Sequence, residues 1–154
     1  FFFFFKLVTV LPIISDGDMI ITKEDIVQAW NNCGAEALVI RTLPNDNSKQ
    51  SRQYSNTNPP YLHHEAAAWM AEQNIKHLLL DLPSVDREQD GGKLLAHNAF
   101  WNTAKEIRYD CTISEMIFVP DHIADGLYLL NIQITALEND ASPSKPLLFQ
   151  LTKK

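Results

Sequence analysis

Residues 80–97 hold the densest set of side chains able to act together. Leu80-Asp81-Leu82-Pro83-Ser84-Val85-Asp86 carries a buried strand into a polar loop, and Lys93-Leu94-Leu95-Ala96-His97 follows on a helix. Asp81, Ser84, Asp86 and His97 can then converge at the carboxyl end of a strand, where open α/β sheets usually place their sites. Glu115 lies inside the apolar segment Ile113-Ser114-Glu115-Met116-Ile117-Phe118, where a carboxylate is costly unless paired or bound to a metal. His97 and Glu115 together suit a divalent ion, because imidazole and carboxylate are common ligands of zinc and manganese. Ser84 and Asp86 with His97 would suit a different α/β enzyme.

Each residue also has an ordinary explanation. His97 shares a helix face with Leu94, Leu95 and Trp101 and could be a partly buried, satisfied histidine. Strand alternation could point Glu115 to solvent. Ser84 and Asp86 fit turn chemistry, and Arg41, at another strand end, could pair with Asp81 or Asp86. His63, His64 and His122 read as surface residues, and the burial of His77 is open. There is no His-x-x-x-His pair, no Gly-x-Ser-x-Gly elbow, no phosphate loop and no dinucleotide glycine pattern. Cys33 and Cys111 read as buried or half-buried thiols, with no zinc-type spacing.

The elements that must position these residues follow from periodicity. Thr22 with Asp25 marks a helix start, and Ile26, Val27, Ala29, Trp30 and Cys33 extend it over 23–33, with Gly34 as its cap. Ala37-Leu38-Val39-Ile40 reads as a buried strand ending in Arg41-Thr42. Further strands are expected at 7–14, 75–80, 113–119, 127–134 and 147–151. Further helices are expected at 63–74 and from Gly91-Gly92 to Trp101. Residues 43–60, rich in Asn, Ser and Pro, read as a long surface loop, either a lid or a mobile insertion. Helices alternating with strands give an α/β fold, more antiparallel in its carboxyl-terminal part.

A chain of 154 residues suffices for one domain with its own core, expected over 7–154. Phe1 to Phe5 form an odd tract, and residues 1–6 are expected to be an artificial addition. The net charge of −6 and pI near 5.2 argue against a nucleic-acid partner. No segment is suited to span a bilayer, and the cysteine usage is compatible with a cytoplasmic location.

The order of several motifs resembles the metal-dependent cyclase family of arylformamidase-like hydrolases. Ile20-Ile21-Thr22-Lys23-Glu24-Asp25 is similar to its helix start, and Ala37-Leu38-Val39-Ile40-Arg41-Thr42 to its strand ending in arginine-threonine. His64-Glu65-Ala66-Ala67-Ala68-Trp69-Met70 resembles its next helix. Asp81-Leu82-Pro83-Ser84-Val85-Asp86 matches its aspartate-x-proline-serine-valine-aspartate element, His97 the histidine that follows, and Glu115 a later glutamate. Asn139 to Pro146 is similar to its last turn. The resemblance implies a swivelling β/β/α fold, a mixed sheet flanked by helices. It implies a metal-dependent hydrolase that attacks an amide or related carbonyl with a metal-activated water, N-formylkynurenine hydrolysis being the best-known family activity. It implies His97 and Glu115 as ligands of zinc or manganese, and Ser84, Asp86, Asp81 and Arg41 as residues supporting the metal or substrate. A homo-oligomer with a small-molecule substrate is expected.

The family's main metal motif, His-x-Gly-Thr-His-x-Asp, has no counterpart in this sequence. Two ligands do not hold a catalytic zinc, which usually has three from protein plus water. The fold is therefore expected to be incomplete at its N-terminus, as the carboxyl-terminal part of a longer enzyme. The alternative is a non-catalytic binding or assembly module that retains the scaffold.

Overall fold

A computed structural model describes residues 2–151, so residue 1 of the phenylalanine tract and residues 152–154 of the expected domain lie outside the described residues. The first half of the chain runs β1 (Phe2–Val10), β2 (Ile13–Ser15), β3 (Asp18–Ile21), α1 (Lys23–Trp30), β4 (Ala37–Thr42), β5 (Tyr61–Leu62) and α2 (His64–Glu72). The second half adds β6 (His77–Leu80), α3 (Leu95–Trp101), β7 (Thr112–Ser114), β8 (Gly126–Ile134) and β9 (Ser144–Gln150). Six strands form one sheet in the order β7-β6-β4-β1-β8-β9. β1, β4, β6 and β7 are parallel, and β8 and β9 join antiparallel. The fold is the expected mixed α/β sheet flanked by helices.

Burial explains the central strands. All six residues of β4 are buried, as expected of a parallel strand covered on both faces. Side chains alternate across the sheet. Leu38, Ile40, Leu78 and Leu80 meet Ile26, Trp30, Met70 and Phe100 from the helices. Phe5, Leu7, Val39 and Leu79 face the other way, onto Val119 and Leu130.

Several boundaries differ from those expected. β1 spans Phe2–Val10 rather than 7–14, and Leu11-Pro12 ends it, since proline has no N–H for the ladder. Phe2 to Phe5 are thus part of the central strand, with Phe5 1% exposed. Residues 13–21 form a separate hairpin, with Asp16 and Gly17 at positive φ in its turn, an Asp-Gly signal for tight hairpins. β5 adds to this hairpin as a third strand. The capping box of Thr22 and Asp25 is present, but α1 ends at Asn31 in the left-handed conformation, short of Gly34. α3 starts at Leu95 rather than at Gly91, and β7 stops at Ser114.

Candidate functional site

β6 ends at Leu80, and the chain turns through Asp81 to Asp86 at its carboxyl end. Asp86 is buried and fully engaged. Its carboxylate accepts the backbone N–H of Ala96 at 2.6 Å and of His97 at 3.2 Å. It thereby caps α3, whose own N-cap, Leu94, makes no side-chain bond. First-turn N–H groups need such an acceptor, and an anion there meets the positive end of the helix dipole. The same carboxylate lies 2.6 Å from His97 Nδ1. A carboxylate at that nitrogen makes Nδ1 the protonated one and leaves the Nε2 lone pair outward. One aspartate therefore fixes the helix, the ring and the tautomer.

Glu115 follows the end of β7 and closes the arrangement from the neighbouring strand. Its Oε1 accepts the Val85 N–H at 2.9 Å and lies 3.6 Å from His97 Nε2. That separation is too long for a hydrogen bond and shorter than two metal–ligand bonds of about 2.0–2.2 Å laid end to end. The pair therefore fits two donors of one divalent ion, with Asp86 in the supporting role that a carboxylate behind a ligating histidine usually takes. Among the described residues, no group of three His, Cys, Asp or Glu side chains is placed to hold a metal. His97 and Glu115 open onto a cavity of about 680 Å³ shared with Pro83, Trp101, Cys111 and Ser142. The His97 ring lies 5.2 Å from Trp101. Burial pushes the Cys111 thiol up, which keeps it protonated and a poor nucleophile or ligand.

Ser84, Asp81 and Arg41 are placed differently. Ser84 Oγ accepts the Asp86 N–H at 3.1 Å, the expected turn chemistry. Asp81 is buried and accepts Thr42 N–H, Thr42 Oγ1 and Lys49 Nζ, the last at 2.7 Å. Arg41 pairs with Asp125 at 3.1 Å rather than with Asp81 or Asp86. Its guanidinium also donates to Thr9 Oγ1 and to the carbonyls of Pro120 and Ile123. These two ion pairs fasten the strand ends on which the site stands.

Lys49 escaped the sequence reading, because nothing in a loop of Asn, Ser and Pro marks one lysine as buried. It lies in a 3₁₀ turn over Asn47–Gln50 and also donates to the Thr42 carbonyl at 2.5 Å. The loop is tied at its other end too. Glu88 accepts the N–H groups of Asn56 and Asn58, which hold its carboxyl below the usual range. Asp18 binds Asn58, Tyr61 and Arg87. The loop is strapped at both ends.

His122 is exposed and His63 half-exposed at the N-cap of α2. His77 is buried, 3.9 Å from the Phe3 ring and 2.9 Å from Thr112 Oγ1. No helix among the described residues is long and apolar enough to cross a membrane.

Comparison with known proteins agrees with this fold. Residues 3–87 match the family model described as "Putative cyclase". Kynurenine formamidase of Bacillus cytotoxicus is 27% identical over 136 residues, which cover 88% of this chain and 58% of that protein. Kynurenine formamidase of one Bacillus cereus strain is 28% identical over 79% of this chain and 53% of its own length. The chain thus spans little more than half the length of these relatives. A solved structure described as a "potential metal-dependent hydrolase with cyclase activity" superposes with a TM-score of 0.72 at 20% identity, covering 99% of this chain and 67% of that one. A second, described as a "predicted metal-dependent hydrolase" from Bacillus stearothermophilus, gives 0.66 at 22% identity, covering 95% and 62%. With more than half its residues matched by the family model, and with that fold, the chain belongs to the cyclase family.

Proposed function

We propose that this chain forms part of a metal-dependent hydrolase acting on a small amide or related carbonyl substrate, in the manner of an arylformamidase. The observation that carries the reading is the His97–Glu115 pair, with Nε2 and Oε1 at 3.6 Å and Asp86 holding the ring from behind. The names of the relatives and of the similar structures support the same class. Zinc or manganese suits one imidazole and one carboxylate. Such an ion, when bound, lowers the pKa of a water and polarises a carbonyl. Asp86 keeps the proton on Nδ1 and the lone pair on Nε2, and Ser84 holds the turn that presents Asp86. Asp81 and Arg41 brace the strand ends. A catalytic zinc usually takes three protein ligands, so the pair would need at least one further donor.

Assembly into a homo-oligomer in the cytoplasm belongs to the same proposal. The exposed faces of Phe2, Phe4 and Phe149 supply apolar surface for association, which sedimentation velocity measures.

The test is zinc and manganese content after dialysis, for the parent, His97→Ala and Glu115→Gln. Each substitution is expected to lower bound metal at least tenfold. Unchanged content in both overturns the assignment. A binding module that keeps only the scaffold is favoured by one observation, the lack of a third donor among the described residues. It predicts no stoichiometric metal in the parent.

A further inference from the structure

Met116 has φ of 57°, a left-handed backbone that few residues other than glycine, asparagine or aspartate adopt readily. Its side chain is 63% exposed, so packing does not force that conformation. The reason lies in the ladder. β7 pairs with β6 in regular parallel register, His77 with Thr112, Leu78 with Ile113 and Leu79 with Ser114. In that register the Thr112 N–H bonds to the Lys76 carbonyl, and regular continuation would bring the Met116 N–H to Leu80. Instead Ile117 N–H takes the Leu80 carbonyl at 3.2 Å, and Met116 N–H reaches Leu82 at 2.9 Å. One extra residue has entered just beyond the end of β7 before the chain rejoins Leu80, an irregularity like a β-bulge, which re-aims side chains.

The bulge reverses the alternation of faces. Ile113 packs with the helix-side core of Leu78, Leu80 and Phe100, whereas Ile117 packs with Phe5, Leu79 and Val119 on the opposite side. In an uninterrupted strand Ile113, Glu115 and Ile117 would share one face. With the bulge, Glu115 keeps the helix-side face, where the Val85 N–H and His97 stand, while Ile117 fills the core behind the sheet.

We infer that Met116 is a positioning residue whose left-handed backbone aims the Glu115 carboxylate at His97. The role rests on the reading of Glu115 as a metal ligand. The feature that matters is the backbone conformation, not the thioether. Glycine or asparagine at 116 should therefore preserve the arrangement, and a β-branched residue should oppose it.

Two measurements test this on Met116→Gly, Met116→Asn and Met116→Ile. The first is amide hydrogen exchange at Val85, whose N–H is held by Glu115 and which requires no metal. Met116→Ile is expected to lose at least tenfold in Val85 protection, while Met116→Gly and Met116→Asn stay within about twofold of the parent. The second is zinc affinity by titration calorimetry, expected to follow the same order. Unchanged Val85 protection in Met116→Ile, or equal loss in Met116→Gly, overturns the inference. Should Met116→Ile not fold, Met116→Ala carries the same expectation at about threefold. Zinc affinity that is unchanged in Glu115→Gln removes the ligand role alone, and Val85 exchange still decides what aims the carboxylate.

Discussion

Lys49→Met tests whether the strand ends depend on one buried lysine. Methionine keeps most of the unbranched stem and removes the charge. The side chain of Asp81 is fully inaccessible and that of Lys49 only 5% exposed, so solvent cannot replace the lost partner. Breaking a buried pair from one side costs about 3–5 kcal/mol. Asp81 keeps the N–H and hydroxyl of Thr42, and a carboxylate still holding such bonds is less exposed to that penalty. The expected cost is therefore at the low end, about 3 kcal/mol. For a chain of this size each kcal/mol moves the midpoint by about 2–4 °C, so Tm should fall by about 6–12 °C. Urea unfolding of the parent, Lys49→Met, Asp81→Leu and the double variant closes a thermodynamic cycle. The double variant should be more stable than the sum of the two single losses predicts, because neither charge is then buried alone, but the Thr42 N–H and hydroxyl lose their Asp81 acceptor, so about 1–3 kcal/mol stays lost. A Lys49→Met cost below about 1 kcal/mol, or a double variant no more stable than that sum, refutes the reasoning.

Two further outcomes follow from single residues. Asp86→Asn keeps an acceptor for the Ala96 N–H but offers an amide donor to His97 Nδ1, moving the ring proton to Nε2. Zinc affinity should fall about 10–100-fold, with a stability loss near 1 kcal/mol from the weakened helix cap, read by calorimetry and by urea unfolding. His77 is pushed below the ordinary histidine range by burial. The unfolded chain therefore takes up the proton more readily than the folded one. Its contribution is whole above pH 6.5 and is lost as pH falls below 6.5 towards the folded value. A His77→Phe variant should flatten that limb of the stability–pH curve, and an unchanged limb would assign it to other groups.

The periodic part of the fold was legible and the site only in part. The capping box of Thr22 and Asp25, and the run Ala37 to Thr42, carry local signals that the tertiary structure obeys. β1 was misplaced because five identical residues carry no alternation, and only pairing with β4 and β8 decides their faces. Asp86, His97 and Glu115 were recognisable as a group. The second task of Asp86, capping α3 through the Ala96 N–H, was not, because an aspartate that caps a helix and one that orients an imidazole look alike in sequence. Lys49 and Asp125 stayed hidden in polar loops, where burial depends wholly on distant partners.

The shared use of Asp86 has a consequence for how the site forms. Its carboxylate satisfies the first turn of α3, a helix of seven residues that is too short to be stable alone. The same carboxylate sets the His97 ring. Docking of α3 through the Ala96 N–H therefore brings the His97 backbone to Asp86, whose second oxygen is then in reach of the ring. Glu115 reaches the pair from the next strand through the Val85 N–H, in the same turn that carries Asp86. Folding of the Pro83–Asp86 turn thus brings His97 and Glu115 together. Loss of the turn, as in Pro83→Gly with its greater unfolded-state freedom, should lower metal affinity and stability together, whereas His97→Ala should lower the first far more than the second.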